Sequence, residues 1–420
     1  MRFSFFYGYV ILALCFTNMV FMRGVSVSFG VFYVALLEEF PWSHELIASI
    51  ASVNAMIYAL TSPLIGWAFD RLGPRILMPL AGTLIGAGLF LSGLSNSFWQ
   101  LYIFYGILAA MGQAGLGFVS HNALISRWFV RRRGAAIGLA TMGLGLGVLI
   151  IVPLTQILIS RWGWRSAFMF LGALVLFATV PANAILQRRS PKEVGQLPDG
   201  DTAPPVDDPG PQPKRPRGAH EWTLRSASRS FPFWGITIGH LALGTGLFMI
   251  YTHLVVYLVD QGFDKLVAAF ILGLIGFMRI GGTVLWGFVS DRLGRDKAYG
   301  IATLIALAGV ACLIGIGSSS LPWFVYTFAI LYGIGHSAGN PTYGALIGDI
   351  FGGSKVGTIF GFLEISFGLG MAFGAWLGGY AYDLTGSYRW PFSLGFVTFT
   401  ISYFAVHFSL AWHLRKSGKL

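Results

Sequence analysis

Twelve times along this chain, about every 35 residues, a run of roughly 20 apolar residues passes with almost no charge inside it, the length a helix needs to cross the hydrocarbon core of a bilayer. The runs cover residues 8–36, 46–69, 76–95, 98–125, 134–158, 166–187, 232–258, 266–290, 297–317, 322–347, 355–382 and 390–412. With 55% hydrophobic and 11% charged residues among 420, there is more apolar surface than a water-soluble fold of this size could hide. The runs are continuous rather than alternating, which selects helices over barrel strands, and the 56 glycines suit helices that pack closely in lipid. The expected fold class is an all-α membrane protein of twelve transmembrane helices.

The first run starts within MRFSFFYGYV, is too long for a signal-peptide core and lacks a small-residue cleavage site, so the first helix itself should act as the targeting signal. Cys15 and Cys312 both fall inside runs, which suggests no disulfide. The net charge of +11 is unevenly placed: 22 of the 28 lysines and arginines lie in the N-tail, the even-numbered loops and the C-tail, whereas the odd-numbered loops hold only Arg161, Arg165, Lys265 and Arg389. By the positive-inside rule both termini are expected to be cytoplasmic. The same bias accounts for basic stretches such as RWFVRRRG (127–134), so they imply no nucleic-acid partner.

Residues 188–230 are polar and rich in Pro and Gly, a composition that cannot build a core. They read as a cytoplasmic linker, disordered in its middle, between an N-terminal six-helix bundle (1–187) and a C-terminal one (231–420). The halves repeat. GWAFDRLGPR (66–75) follows the second run and GFVSDRLGRDK (287–297) the eighth, with Asp70 and Asp291 set 221 positions apart. Matching G-x-x-x-D-R-L-G loops at equivalent places resemble those of the major facilitator superfamily of secondary transporters, and the resemblance covers the whole chain. It implies alternating access to a midplane site between two six-helix halves, no cofactor, and a monomer as the working unit. It also implies a gating role for Asp70, Arg71, Arg75, Asp291, Arg292 and Arg295, the aspartates acting on a neighbouring helix N-terminus and the arginines on carboxylates or helix C-termini. Ordinary helix-end capping is the competing role.

Four further stretches, SFGVFYVALLEEFPWS (28–43), RWFVRRRGAAIGLATMGLGLG (127–147), SPKEVGQLPDGD (190–201) and THLVVYLVDQGF (252–263), are similar to bacterial relatives of the monocarboxylate transporters and oxalate/formate exchangers. This narrower resemblance implies a protein of the bacterial inner membrane with a small organic anion as cargo and H⁺ or a second anion as its coupled partner.

Two arginines lie inside the apolar runs. Arg23 sits halfway along the first, and Arg279 lies twelve residues, about 18 Å of helix, before Asp291. A midplane arginine costs at least a few kcal/mol, so each should face protein or a water-filled cavity rather than lipid. Permanent charge and a planar fork suit a carboxylate, which makes Arg279 and Arg23 the leading substrate-binding candidates; bonding to helix carbonyls or pairing with Glu364 is the structural alternative. By resemblance, the eighth-helix arginine of the monocarboxylate transporters corresponds to Thr283, one turn from Arg279 on the same face, and their first-helix lysine to Val27, one turn from Arg23. The eleventh-helix lysine of the oxalate/formate exchangers corresponds to Phe367. Glu364, the one acid well inside a run, is the candidate proton-coupling group, with a fixed ion pair to an arginine as its competing role.

Polar side chains on the fourth, seventh and tenth runs complete the candidate list. His121, Asn122, Tyr251, His336, Asn340 and Tyr343 are substrate-binding candidates, and His121 and His336, read as comparable positions of the two halves, could also handle the proton. Hydrogen bonding between helices is the alternative for each. Pro341 in GNPTYG (339–344) should kink the tenth run, and glycines 138, 143, 145 and 147 should pack the fifth against the eighth. The sequence has no metal-ligand cluster, nucleophile motif or phosphate loop, so no enzyme is expected. The expected function is secondary active transport of a small organic anion, a monocarboxylate, proton-coupled or anion-exchanging. A drug or metabolite exporter on the same fold and a non-transporting membrane sensor are the rival readings.

Overall fold

The structure, a computed structural model, describes residues 5–201, 222–317, 322–351 and 356–416, and these contain helices and turns but no strand. Helix α1 is Gly8–Glu39, α2 His44–Leu72, α3 Pro74–Ser92 and α4 Phe98–Trp128. The helical stretch Arg133–Leu186 is interrupted at Gly163, whose φ of 77° suits only glycine, and so divides into α5 (residues 133–162) and α6 (residues 164–186). Then follow α7 (Phe231–Asp260), α8 (Lys265–Leu293), α9 (Arg295–Gly315), α10 (residues 322–351, in two pieces, Pro322–His336 and Gly339–Phe351), α11 (Val356–Thr385) and α12 (Arg389–Lys416). Ten helices among the described residues are long and apolar enough to cross a membrane. The expected fifth and sixth spans count there as one helix, and the expected tenth is divided into pieces too short to qualify alone.

Local sequence explains the helix ends. Ser43 caps α2 by accepting the Leu46 N–H, and Asp264 caps α8 by accepting those of Leu266 and Val267. The repeated D-R-L-G loops end α2 and α8 in the same way, with Gly73 at φ 75° and Gly294 at φ 89° turning the chain straight into the next helix. Residues 202–221, the expected disordered middle of the linker, lie outside the described residues. The start of the linker is fastened: Gln196 accepts the Tyr7 N–H (2.9 Å), and Asp199 accepts those of Val130 (3.0 Å) and Arg131 (2.8 Å). Partial burial pushes the Asp199 carboxyl up, but the backbone N–H groups of Arg131, Val130 and Arg132 outweigh it and hold the group below the usual carboxylate range.

Within the first half α1 packs on α5 and α3 on α6; within the second, α11 and α12 pack on α7, and α9 on α10. Across the seam α2 meets α11, α5 meets α8 and α1 meets α7. These contacts need glycine: a Cβ on Gly276 would lie 2.8 Å from the Gly145 carbonyl oxygen, and one on Gly379 would lie 2.6 Å from that of His44. Of the four glycines expected to pack α5 on α8, only Gly145 does so. Gly143 and Gly147, four residues apart on another face, press against α1 at Phe16 and Val20, and Gly138 has nothing within 4 Å.

The seam is tight at the end of the helices remote from the chain termini. There Lys265 pairs with Glu38 (2.6 Å), Trp376 donates to Glu45 (2.8 Å), and Asp383 accepts the N–H groups of His44 and Glu45. Toward the end that carries the termini, here the terminal face, Gly134, Gly281 and Gly287 meet nothing within 4 Å, and Leu64, Trp67, Val284 and Phe288 are exposed. The helices are thus sealed at the far face and parted at the terminal face.

Candidate functional site

Helices α4 and α10 break at equivalent places. In α4 the turn at Leu116–Gly117 is held by the Gly117 N–H donating to the Ala114 carbonyl (3.1 Å); in α10 the Ala338 N–H donates to the Gly335 carbonyl (3.4 Å), 221 positions on. Pro341 explains the second break, because it has no N–H to reach the Ser337 carbonyl and its ring crowds that oxygen. The expected kink therefore falls four residues before the proline. The break in α4 has no proline; Gly115 and Gly117 supply the weakness.

Just beyond each break a buried polar cluster ties that helix into its own half. His121 Nδ1 faces the Gly117 carbonyl at 2.8 Å, so it carries the proton, and Nε2 accepts from the Asn18 amide (3.3 Å); Asn18 and Asn183 exchange amide hydrogen bonds at 2.8 and 3.0 Å. In the second half Tyr343 and Tyr299 both meet Ser402 (3.0 and 2.7 Å), and the Tyr343 ring stacks on His240 at 4.3 Å. His121 and Tyr343 are fully enclosed in these clusters, apart from the central arginines. Two residues read as cavity ligands are thus placed as interhelical bonding groups, and the counterpart of His121 lies beside Tyr343, not at His336. The Asn340 side chain lies outside the described residues. Asn122 is half-buried, and its Oδ1 has no hydrogen-bond partner among them.

The seam does bring the remaining candidates together. Arg23 from α1 lays its guanidinium over the rings of Phe248 (5.3 Å) and Tyr251 (5.4 Å) on α7, and its Nε is enclosed with no hydrogen-bond partner among the described residues. Arg279 from α8 lies within electrostatic reach of Arg23, Tyr251, Tyr332 and His336. His336 Nδ1 faces the Tyr332 carbonyl (2.6 Å) and is its donor, which leaves Nε2 to accept the Tyr251 O–H (3.2 Å). Both imidazole nitrogens are thus engaged within the second half. Thr283 lies one turn along α8, but its hydroxyl donates to the Arg279 carbonyl (2.9 Å) and so serves its own helix.

Glu364, half-buried on α11, forms no ion pair among the described residues, and its charge reaches Tyr58 on α2, which Arg23 also reaches. Neither Tyr58, whose hydroxyl lies against the α4 break, nor Tyr332 or Phe248 was singled out by sequence reasoning. Tyr332 had a signal, being one turn before His336; Tyr58 had none. On the far side of Arg23 a pocket of about 20 Å³, bounded by Asn54, Tyr105, Tyr251 and Thr252, has room for about one water.

The loop residues act within their halves. Asp70 pairs with Arg127 (3.0 Å), Arg75 donates to the Ala184 carbonyl at the end of α6 (3.2 Å), and Arg71 lies over the Trp67 ring (4.6 Å). Arg295 pairs with Asp291 (2.8 Å) and Asp349 (3.4 Å), and Arg292 is exposed.

The chain is similar to known proteins in sequence and in fold. A family model described as Major Facilitator Superfamily matches residues 12–319 and 279–418. Monocarboxylate transporter 13 of Bos taurus is 30% identical over 386 residues, covering 92% of this chain and 85% of its own length; monocarboxylate transporter 4 of Rattus norvegicus is 27% identical over 391 residues, covering 92% and 80%. In fold, the chain is similar to a bacterial homolog of the human lysosomal transporter Spinster in an inward-facing, unoccupied conformation, with TM-score 0.70, 16% identity, and coverage of 98% and 97%. A repeated helix-loop signature, helices sealed at one face and parted at the other, and a match along nearly the whole length lead to one conclusion: the chain belongs to the major facilitator superfamily of membrane transporters.

Proposed function

We propose that this protein moves a small organic anion, a monocarboxylate, by alternating access between its two halves, residues 1–187 and 231–420 joined by the linker 188–230. One observation carries the reading. Arg23 and Arg279, one from each half, lie within electrostatic reach of each other without an acidic partner among the described residues. Two like charges in a medium of low dielectric repel, and an anion between them converts repulsion into attraction from both sides. That gives substrate binding a means of drawing the halves together.

In this reading Arg279 is the principal carboxylate ligand, reached from the open terminal face, and Arg23 offers its unpartnered Nε once the ligand is in place. Asn122 and the Tyr251–His336 pair complete the polar wall. Glu364 faces the same charges from α11 through Tyr58 and takes up the transported proton; without that step the protein exchanges one anion for another. The bias of basic residues toward the terminal face orients that face to the cytoplasm, with the chain in the plasma membrane and this state open inward. The ion pairs at Asp70 and Asp291 keep each half rigid while it moves. The names of the curated relatives agree with a monocarboxylate cargo.

Uptake into reconstituted vesicles tests the reading. Labelled monocarboxylates should enter wild type, and Arg279→Gln should lower the rate by about tenfold or more, the loss of one charge-assisted hydrogen bond. Accumulation of a hydrophobic cation, with no carboxylate flux, would replace the reading with that of an exporter.

A further inference from the structure

We propose that the groove between α7 and α12 is a binding site for an anionic phospholipid, with one acyl chain in the groove and the phosphate at arginines on its rim. The groove holds about 550 Å³ and is walled by Phe231, Trp234 and Ile238 from α7 and by Phe396, Phe404 and Phe408 from α12. Gly235, which has no side chain, and Ala405, with only a methyl group, leave the space open. Thr400 is the one polar residue of the lining, and its hydroxyl donates to the Phe396 carbonyl (3.0 Å), so the walls have little to offer a polar ligand. Among the ten helices long and apolar enough to cross a membrane, α12 is the least enclosed, 28% buried in its most apolar stretch, which sets the groove on the lipid-facing surface rather than in the seam.

Its length fits a chain entering from the leaflet at the terminal face. Phe396 to Phe408 covers about 18 Å at helical rise, against about 15 Å for half the hydrocarbon thickness of a bilayer. The mouth is basic and aromatic. Trp234 Nε1 donates to the Ser228 carbonyl (2.8 Å), folding the segment that carries Arg225 and Arg229 over the α7 side, and the Phe231 and Trp412 rings, 6.4 Å apart, bring the α12 side with Arg415 to the same level. All three arginines are exposed, and none forms an ion pair among the described residues. Tryptophans at the interface with arginines just beyond it match a phosphate above an acyl chain. A second copy of the chain docked symmetrically here would set two basic rims together, which favours lipid as the occupant.

The test is native mass spectrometry of the full-length protein in mild detergent, titrated with phosphatidylglycerol and, separately, phosphatidylcholine. Wild type should retain phosphatidylglycerol with a preference of about tenfold. Arg225→Gln, Arg229→Gln and Arg415→Gln together should erase the preference, and Thr400→Trp, which fills the groove from its exposed side, should lower retention of phosphatidylglycerol while the melting temperature holds. Equal retention of the two lipids by wild type would overturn the proposal. So would a preference unchanged in the triple variant, retention unchanged in Thr400→Trp, or a dimer that carries no lipid.

Discussion

Asp383, at the end of α11, accepts the backbone N–H of His44, the first residue of α2, at 3.1 Å on one carboxylate oxygen and that of Glu45 at 2.7 Å on the other. A helix of the first half is thus capped by a side chain of the second, beside its own cap at Ser43. The first turn of a helix has unpaired N–H groups and a partial positive charge, both of which a carboxylate satisfies. The bond spans the seam at the closed far face, so parting α2 from α11 there would break it.

Asp383→Ala should therefore shift the protein toward states open at the far face. A capping interaction is worth about 1 kcal/mol, close to a fivefold change in the balance. Spin labels on Leu37→Cys and Leu266→Cys, which flank the Lys265–Glu38 pair, would read the change as a longer distance population. An unchanged distribution would show that the cap does not contribute to the seal.

Glu364→Gln keeps the shape of the side chain and removes its ability to lose a proton. If Glu364 carries the coupled proton, uptake in the variant should no longer respond to an imposed pH gradient, while anion exchange at equal pH persists. Pumping that still follows the gradient would move the proton to another group, with His336 next in line by position.

Glycines that touch across the seam should respond differently from those that do not. Gly276→Leu would push Val148 and the Gly145 carbonyl away, and overpacking of this kind costs about 1–3 kcal/mol. Gly287 meets nothing within 4 Å in this state, so Gly287→Leu should melt like wild type. It should nevertheless slow transport, because closing the terminal face brings that stretch of α8 toward Gly134 of α5. A Gly287→Leu protein that transports normally would mean the two helices do not approach there.

The Asp199 clasp gives a pH effect whose sign follows from its geometry. Its carboxyl is held below the ordinary range in the folded chain, so the clasp contributes at neutral pH and is lost as pH falls below about 4, through the folded value. Limited proteolysis near residues 196–201 should accelerate over that window in wild type and be fast at every pH in Asp199→Ala. Cleavage independent of both would leave the clasp without a role.

What was legible in the sequence follows from what lipid enforces. A bilayer admits only long apolar helices, so their places could be read from hydropathy, and Arg279 stood out because charge there is expensive. The D-R-L-G repeat was legible because only glycine turns the chain that way at 73 and 294. Roles that depend on which neighbour a helix face meets were not. His121 and Tyr343 look like cavity residues until their partners Asn18 and Ser402 are placed, and glycines 143, 145 and 147 look alike until the helical period sends them to different helices. The break in α4 could not be foreseen from a pair of glycines with no proline near them.

The central claim is that Arg279 binds a carboxylate, and ligand-induced stabilisation tests it most directly. Melting of the detergent-purified protein would be followed across a panel of mono- and dicarboxylates for wild type, Arg279→Lys and Arg279→Gln. The account predicts a rise in melting temperature with monocarboxylates in wild type, a smaller one in the lysine variant and none in the glutamine variant. A rise that survives Arg279→Gln, or no rise with any acid in wild type, would contradict it.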